Sequence, residues 1–146
     1  MIKVETNVVI NRPPGVVFAY ISNFENNPKW QSGMQEAKFT SEGPLGVGSS
    51  YTQVAKFLGR RVESNFEVID YEPNRLVKAT STAGSFPITF TRVVEPIEGG
   101  TLVTAIIEGD ASGFFKLAEP LLARMVEGSV NADYANLKYI LETQAQ

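Results

Sequence analysis

The sequence predicts an α+β fold in which one long C-terminal helix covers a curved antiparallel sheet. Two observations support this prediction. About six short segments with strand-type alternation follow one another, separated by turn residues at roughly eight- to twelve-residue intervals. A single amphipathic stretch, Pro120 to Glu142, comes last and is long enough to cross a small domain.

The N-terminal part changes from a strand pattern to helical patterns. Residues 2–10 alternate like a first strand. Pro13 and Pro14 end it, because proline donates no ladder hydrogen bond and suits the first turn of a helix. The apolar spacing over residues 15–23 predicts a short helix, and the segment around Pro28 predicts a second short helix or turn. Two short helices are therefore expected between the first two strands.

Strands and turns alternate from residue 35 to the C-terminal helix. The predicted strands cover residues 35–40, 50–57, 62–70, 76–82, 86–94 and 101–108. Because side chains alternate between the two faces of a strand, one face of this sheet is expected to be rich in aromatic residues and to form its concave side. The polar side chains on that face are Tyr51, Gln53, Ser64 and Ser81, with Arg92 as a further candidate. No carboxylate is expected on it.

The long helix contains an unusual line of residues. Glycine in the middle of a helix costs about 1 kcal/mol relative to alanine, and Gly128 lies on a line with Leu121, Met125 and Ala132 along which the side chains become small. Either the helix packs closely on the sheet along this line, or a ligand occupies the missing volume. The predicted solvent face consists of Arg124, Glu127, Asn131, Lys138 and Glu142.

Length, charge and hydropathy limit the class of protein. A chain of 146 residues predicts a single domain over residues 1–146. A net charge of −3 with scattered Lys and Arg argues against a nucleic-acid binder. No apolar run approaches the roughly 18 residues of a membrane span, and the N-terminus lacks a signal-peptide pattern. A cytoplasmic location is therefore expected.

The absence of two residue types excludes several kinds of chemistry. The sequence contains no Cys and no His, which excludes disulfides, thiolate nucleophiles, Cys/His zinc sites and a Ser-His-Asp triad. Asp and Glu do not have the spacing of a calcium loop. We therefore expect neither a metal nor a cofactor, and any catalysis would depend on Asp, Glu, Lys, Arg, Tyr, Ser or Thr.

Several short motifs, in their order and spacing, resemble one known family. They are Asn11-Arg12-Pro13 before the first helix, PKW from Pro28, GVGSSY from Gly46, YEPNRL from Tyr71, EGGTLV from Glu98, GFFKLAEPLLARMV from Gly113 and ANLKYILE from Ala135. Together they resemble the polyketide cyclase/dehydrase-like branch of the START/birch-pollen-allergen (SRPBCC) superfamily. The resemblance covers essentially the whole chain.

This resemblance implies a helix-grip fold, in which a seven-stranded antiparallel sheet wraps around the C-terminal helix and a cavity lies between them. It also implies that residues of the inner sheet face and of the helix underside line the cavity. The corresponding positions are Phe39, Tyr51, Gln53, Phe57, Phe66, Phe86, Phe90, Leu121, Met125 and Val126. By the same resemblance Trp30 lies near the cavity mouth, although it could instead anchor the helical insert to the sheet.

Three functions from different classes agree with these features. The favoured one is binding, without catalysis, of a hydrophobic or amphipathic small molecule such as a lipid, a polyketide or an aromatic metabolite. The second is a cyclase or dehydratase in which Tyr51 or a rim carboxylate such as Glu36 works with bound water, although a tyrosine with a pKa near its usual value of about 10 is a poor base. The third is an accessory subunit that acts through a protein partner. Apolar Leu102 and Ile106 on the outer sheet face leave a homodimer open.

Overall fold

A computed structural model describes residues 1–144 and contains a seven-stranded sheet in which every neighbouring pair is antiparallel. The spatial order of the strands is β1-β7-β6-β5-β4-β3-β2. The strands are β1 Ile2–Ile10, β2 Met34–Phe39, β3 Ser50–Phe57, β4 Arg60–Glu72, β5 Leu76–Gly84, β6 Ile88–Ile97 and β7 Gly100–Gly109. The predicted α+β architecture with a curved sheet is confirmed.

Short helices interrupt the chain at two places before the long C-terminal helix. Pro14 stands in the first turn of the first helix, where its missing N–H has no intrahelical partner. A single 3-10 turn, Phe24–Asn26, connects the first two helices. The helices are α1 Pro14–Ser22, α2 Asn27–Trp30, α3 Ser112–Phe115 and α4 Glu119–Thr143. None of the helices in residues 1–144 combines the length and apolar character needed to cross a bilayer.

The longest strand of the sheet, β4, has irregular pairing with its neighbour. β4 has 13 residues, and its pairing with β5 shifts register between Asn65 and Phe66 and again between Val68 and Asp70. Such irregularities bend a strand and increase its twist. The sheet therefore has a concave face, and buried Val62, Ser64, Phe66 and Val68 all lie on that face.

The long helix is fixed along one edge of the concave face. α4 packs mainly against β1, where the Thr6 hydroxyl donates to the Asn131 side-chain oxygen. Near the helix end, the Asn11 backbone N–H donates to the Glu142 carboxylate at 2.8 Å. Because these bonds hold α4 over β1, which is an edge strand, the middle of the concave face is only partly covered by the helix.

The orientation of α4 about its own axis differs from the sequence prediction. Leu121 and Met125 were expected beneath the helix, but they are 48% and 38% exposed. A Cβ placed on Gly128 would meet no atom within 4 Å, and Ala132 is exposed as well. The line of small residues therefore faces outward. Gly128 neither leaves space for a ligand nor allows a tight contact with the sheet, so both interpretations are wrong.

The reason is that apolar residues occur as neighbouring pairs in the first turns of α4. Leu121 precedes Leu122, and Met125 precedes Val126, so the pattern fits two orientations about 100° apart. The structure has the orientation that buries the longer apolar series. That series is Leu122, Val126, Val130, Tyr134, Leu137 and Leu141.

The strand that carries Leu102 and Ile106 lies near the edge of the sheet, as expected. It is β7, the second strand of the sheet, between the edge strand β1 and β6. Both side chains are half-buried. An interior strand has no free backbone edge for pairing with a second chain, so an edge-to-edge dimer through β7 is excluded.

Candidate ligand-binding site

Two adjoining cavities lie between the concave sheet face and α4. Cavity 1 has a volume of about 190 Å³ and cavity 2 of about 150 Å³. Four side chains line both of them, namely Gln53, Ile88, Ile107 and Val130. Ligand pockets usually measure roughly 300 to 1,000 Å³, so either cavity alone is small, whereas the two together reach the lower end of that range.

Cavity 1 is almost entirely apolar. Phe57 reaches it from the end of β3, Phe86 from the connection between β5 and β6, and Val126 from α4. Phe115 of α3 meets Phe57 edge-to-face, with 5.4 Å between the ring centroids. The chain reverses after α3 at Lys116, which has a positive φ of 56°, and this short helix places Phe115 in the cavity wall. Such a surface offers an apolar ligand burial without competing hydrogen bonds.

Cavity 2 is polar by comparison. Its apolar walls include Phe66 and Phe90, but six of its eleven lining residues carry hydrogen-bonding or charged groups. These groups are Asn27, Gln31, Gln53, Arg92, Asp133 and Tyr134. The site as a whole therefore has one apolar and one polar compartment.

Arg92 is the central polar residue of cavity 2. It lies on β6 and is only 4% exposed. Its Nε donates to the Tyr134 hydroxyl at 3.1 Å, and its Nη1 donates to the Ile21 carbonyl at 2.8 Å and to the Asn27 side-chain oxygen at 3.3 Å. The guanidinium thereby connects β6 with α1, α2 and α4.

A carboxylate also reaches cavity 2, contrary to the expectation that none would face inward. Asp133 of α4 accepts hydrogen bonds from the Ser32 N–H at 2.9 Å and from the Ser32 hydroxyl at 3.0 Å. Partial burial raises the pKa of Asp133, and the two Ser32 hydrogen bonds offset part of that increase. The expectation considered only strand residues, and the incorrect helix orientation hid Asp133, which is three residues beyond Val130 on the buried face.

Several buried polar atoms near the cavities have no hydrogen-bond partner among the described residues. They are Trp30 Nε1, Tyr51 Oη, Gln53 Oε1 and Ser64 Oγ. Leaving such a group unpaired costs about 1 to 3 kcal/mol, so a ligand atom or a water molecule that reached it would be stabilised. Gln53 lines both cavities and is therefore the most accessible of the four to a ligand.

Six of the residues expected to line the cavity do so. They are Gln53, Phe57, Phe66, Phe86, Phe90 and Val126. The strand residues among them lie where the period-two alternation placed them. Ile88 and Ile107 also line the cavities, and the same alternation assigns them to the inner face.

The other expected residues lie outside both cavities. Leu121 and Met125 are on the outer side of α4, as described above. Tyr51 is 1% exposed and stacks on Phe66 with 5.1 Å between ring centroids, so it belongs to the core. Phe39 lines a separate surface groove near β2. These four are corrections to the predicted lining.

Trp30 is not at the cavity mouth either. Its side chain is 1% exposed and meets the Tyr134 ring edge-to-face at 4.9 Å. Its backbone carbonyl accepts a hydrogen bond from the Asn136 side chain at 3.1 Å. These contacts join α2 to the middle of α4, so Trp30 anchors the helical insert, but this ring contact and this hydrogen bond are with the long helix rather than with the sheet.

A curved antiparallel sheet that grips a C-terminal helix above a split cavity defines the helix-grip class. The sequence profile of one family in this class, described as polyketide cyclase / dehydrase and lipid transport, matches residues 1–142. The chain belongs to this family, and the resemblance to the SRPBCC superfamily is confirmed. No curated protein matches the sequence.

Solved structures with the same fold belong to proteins of low sequence identity to this chain. A START superfamily protein from Mycobacterium smegmatis has a TM-score of 0.82 at 14% identity and covers 98% of this chain and 99% of its own. The protein TTHA0849 from Thermus thermophilus has a TM-score of 0.81 at 16% identity, with 99% of both chains covered. The Zhui aromatase/cyclase from Streptomyces sp. R1128 has a TM-score of 0.76 at 14% identity, covering 99% of this chain and 95% of its own. At these identities the similarity concerns the fold alone.

Proposed function

We propose that the protein binds a hydrophobic or amphipathic small molecule, of the lipid, polyketide or aromatic-metabolite type, in the paired cavities. The observation that supports this most is the apolar cavity 1 beside the polar cavity 2, with four lining residues in common. Each methylene group transferred from water into cavity 1 contributes about 0.8 kcal/mol. Five buried methylenes would thus provide about 4 kcal/mol, and polar contacts in cavity 2 would orient the molecule.

Displacement of a neutral fluorescent dye tests this proposal. The protein is titrated with 1-aminoanthracene, and 1-decanol then competes for the site. We expect saturable dye binding with one site per chain and full displacement by 1-decanol, and native mass spectrometry should show the decanol complex. Failure of a broad set of lipophilic compounds to bind would refute the proposal.

The second candidate is a cyclase or dehydratase, and the position of Asp133 favours it. A carboxyl group with a raised pKa in a cavity is better suited to proton transfer near neutral pH than an ordinary one. Tyr51 and Glu36, the two acid–base candidates named from the sequence, are poorly suited to this role. Burial raises the pKa of Tyr51 far above its usual value, so its phenol stays protonated, and Glu36 is exposed on β2 and lines neither cavity.

This candidate is tested with a linear polyketide analogue incubated with wild type, Asp133→Asn and Glu36→Gln. Catalysis at Asp133 predicts loss of cyclised product in Asp133→Asn and full turnover in Glu36→Gln. Equal turnover in all three proteins would exclude Asp133 as the catalytic group. Absence of product with wild type, together with tight binding of the analogue, would favour the non-catalytic function.

Three expectations stay predictions. They are the cytoplasmic location, the accessory role with a protein partner, and the homodimer. Exposed Leu121, Met125 and Tyr139 on the outer face of α4 are apolar positions where a partner could pack. Analytical ultracentrifugation at high protein concentration tests the homodimer, and a strict monomer would exclude it.

A further inference from the structure

The positive charge of Arg92 has no counterion in the described part of the chain. None of the ion pairs among residues 1–144 includes Arg92. Its three hydrogen-bond acceptors, on Tyr134, Ile21 and Asn27, are all neutral. Arginine is almost never fully buried unless it is paired, because moving an unpaired charge out of water costs several kcal/mol.

Neutral groups around Arg92 stabilise the cation without neutralising it. The guanidinium carbon lies 4.8 Å from the centre of the Phe90 ring and 4.9 Å from that of Trp30. Such cation–π contacts contribute about 2 kcal/mol when both groups are desolvated. The Ile21 carbonyl belongs to the last turn of α1, where the helix dipole is negative. These dipoles lower the cost of burial, but they leave the positive charge of Arg92 without a counterion within hydrogen-bond distance.

One edge of the guanidinium also has no hydrogen-bond partner among the described residues. Nε and Nη1 donate all three of the hydrogen bonds, and no acceptor within residues 1–144 is bonded to Nη2. Arg92 lines cavity 2, which shares Gln53, Ile88, Ile107 and Val130 with apolar cavity 1. A molecule that reaches Arg92 with its polar end can therefore place its apolar part in cavity 1.

We propose that the preferred ligand is an amphipathic monocarboxylate whose carboxylate binds Arg92 in cavity 2 while its apolar part fills cavity 1. This inference depends on the proposed binding function and specifies its ligand class. A charge-assisted hydrogen bond is stronger than a neutral one. A carboxylate is therefore expected to bind at least about tenfold more tightly than the alcohol of the same chain length.

Asp133 is the other charged group that lines cavity 2. It forms no ion pair with Arg92, and its carboxylate is held by Ser32 at the α2–β2 connection. Its negative charge opposes binding of a second carboxylate, so the affinity for an acid depends on direct contact with Arg92. Replacing it by asparagine keeps an oxygen for Ser32 and removes this opposition.

The test compares ligands that differ only in the head group. Decanoate, 1-decanol and decylamine are titrated at pH 8, below their aggregation concentrations, against wild type, Arg92→Met, Arg92→Lys and the control Arg75→Met. Arg75 is an exposed arginine paired with Glu72. Binding is read by isothermal calorimetry, and folding is checked by circular dichroism and by the emission of Trp30, which is the only tryptophan.

The proposal predicts the order decanoate, decanol, decylamine for wild type, with decanoate at least about tenfold tighter than decanol. Arg75→Met should keep that ratio, Arg92→Lys should keep part of it, and Arg92→Met should reduce it to about one. Equal affinity of wild type for decanoate and decanol would overturn the carboxylate assignment while the binding function stands. So would an unchanged ratio in folded Arg92→Met. If no decyl compound binds, both proposals fail. If Arg92→Met does not fold, the order of affinities for the three ligands, measured on wild type and Arg92→Lys, decides.

Discussion

Neighbouring residues 125 and 126 of α4 provide a sharp test of the cavity. Val126 lines cavity 1, whereas Met125 is 38% exposed on the outer side of the same helix turn. Phenylalanine at position 126 would direct its ring into a void of about 190 Å³. A cavity of about 150 Å³ is sufficient for benzene, so the new ring would occupy most of cavity 1.

The expected loss of affinity follows from the ligand volume that the ring displaces. Excluding about four methylenes from cavity 1 removes about 3 kcal/mol at ~0.8 kcal/mol each, which is roughly a hundredfold increase in the Kd for 1-decanol. Met125→Phe should leave that Kd within about twofold. Overpacking a filled core costs about 1 to 3 kcal/mol. Because the ring of Val126→Phe enters an existing void, the cost should stay below about 1 kcal/mol and the Tm should change by only a few degrees.

Calorimetric titration of both variants with 1-decanol measures this difference. If Met125→Phe weakened binding as much as Val126→Phe, the orientation of α4 described above would be wrong. Wild-type affinity in folded Val126→Phe would show that the ligand binds somewhere other than cavity 1.

Three further predictions concern the helix and cavity 2. Gly128→Ala should stabilise the protein by about 0.5 to 1 kcal/mol in urea unfolding, because the added methyl group meets no other atom; destabilisation would indicate that another chain covers this face. Tyr134→Phe should cost about 1 to 3 kcal/mol, since it leaves a buried donor of Arg92 unpaired, whereas Tyr139→Phe, at a position 63% exposed, should be neutral. The pKa of Asp133 is higher in the folded protein than in the unfolded chain, where it is about 3.9. The folded state is therefore destabilised as the pH rises from the unfolded pKa through the folded pKa. Asp133→Asn should therefore flatten the pH dependence of the Tm in that range and stabilise the protein at pH 7, and an unchanged pH profile would contradict the assigned pKa shift.

The strand residues of the site could be predicted from the sequence because strands have a simple period. Once the turns were located by glycine and proline, alternation assigned Gln53, Phe57 and Phe66 to the concave face, and each lines a cavity. Alternation cannot show how far along a strand the cavity extends. Tyr51 shares the face of Gln53, but it lies at the end where α1 and Phe24 fill the space, and its ring is 4.4 Å from that of Phe24.

The helix residues of the site were harder to predict. Apolar side chains at 121, 122, 125 and 126 allow two orientations of α4, and the choice between them depends on long-range contacts. Thr6 with Asn131 is one of them, and Ser32 with Asp133 is another. The pattern of neighbouring residues in the sequence does not indicate such contacts. The error concealed Asp133 and Tyr134, the two residues of α4 that contribute polar groups to cavity 2.

The alternation of side chains allowed Arg92 to lie on the inner face of the sheet, but the role of Arg92 could not be derived from the sequence. A buried arginine is normally explained by a nearby carboxylate, and only the three-dimensional arrangement shows three neutral acceptors in its place. Trp30 illustrates the same limit. Its burial between α2 and α4 results from contacts with Tyr134 and Asn136, more than 100 positions away in the chain.

Methyl-group NMR of the protein titrated with 1-decanol tests the central claim, binding between the sheet and α4, most directly. The account predicts saturable shift changes for the methyl groups of Ile88, Ile107, Val126 and Val130, which line the cavities. The methyl groups of Leu121 and Met125, on the outer side of the helix, should not shift. Saturable changes at Leu121 and Met125 without changes at the four inner residues would contradict the claim, as would the absence of any saturable shift.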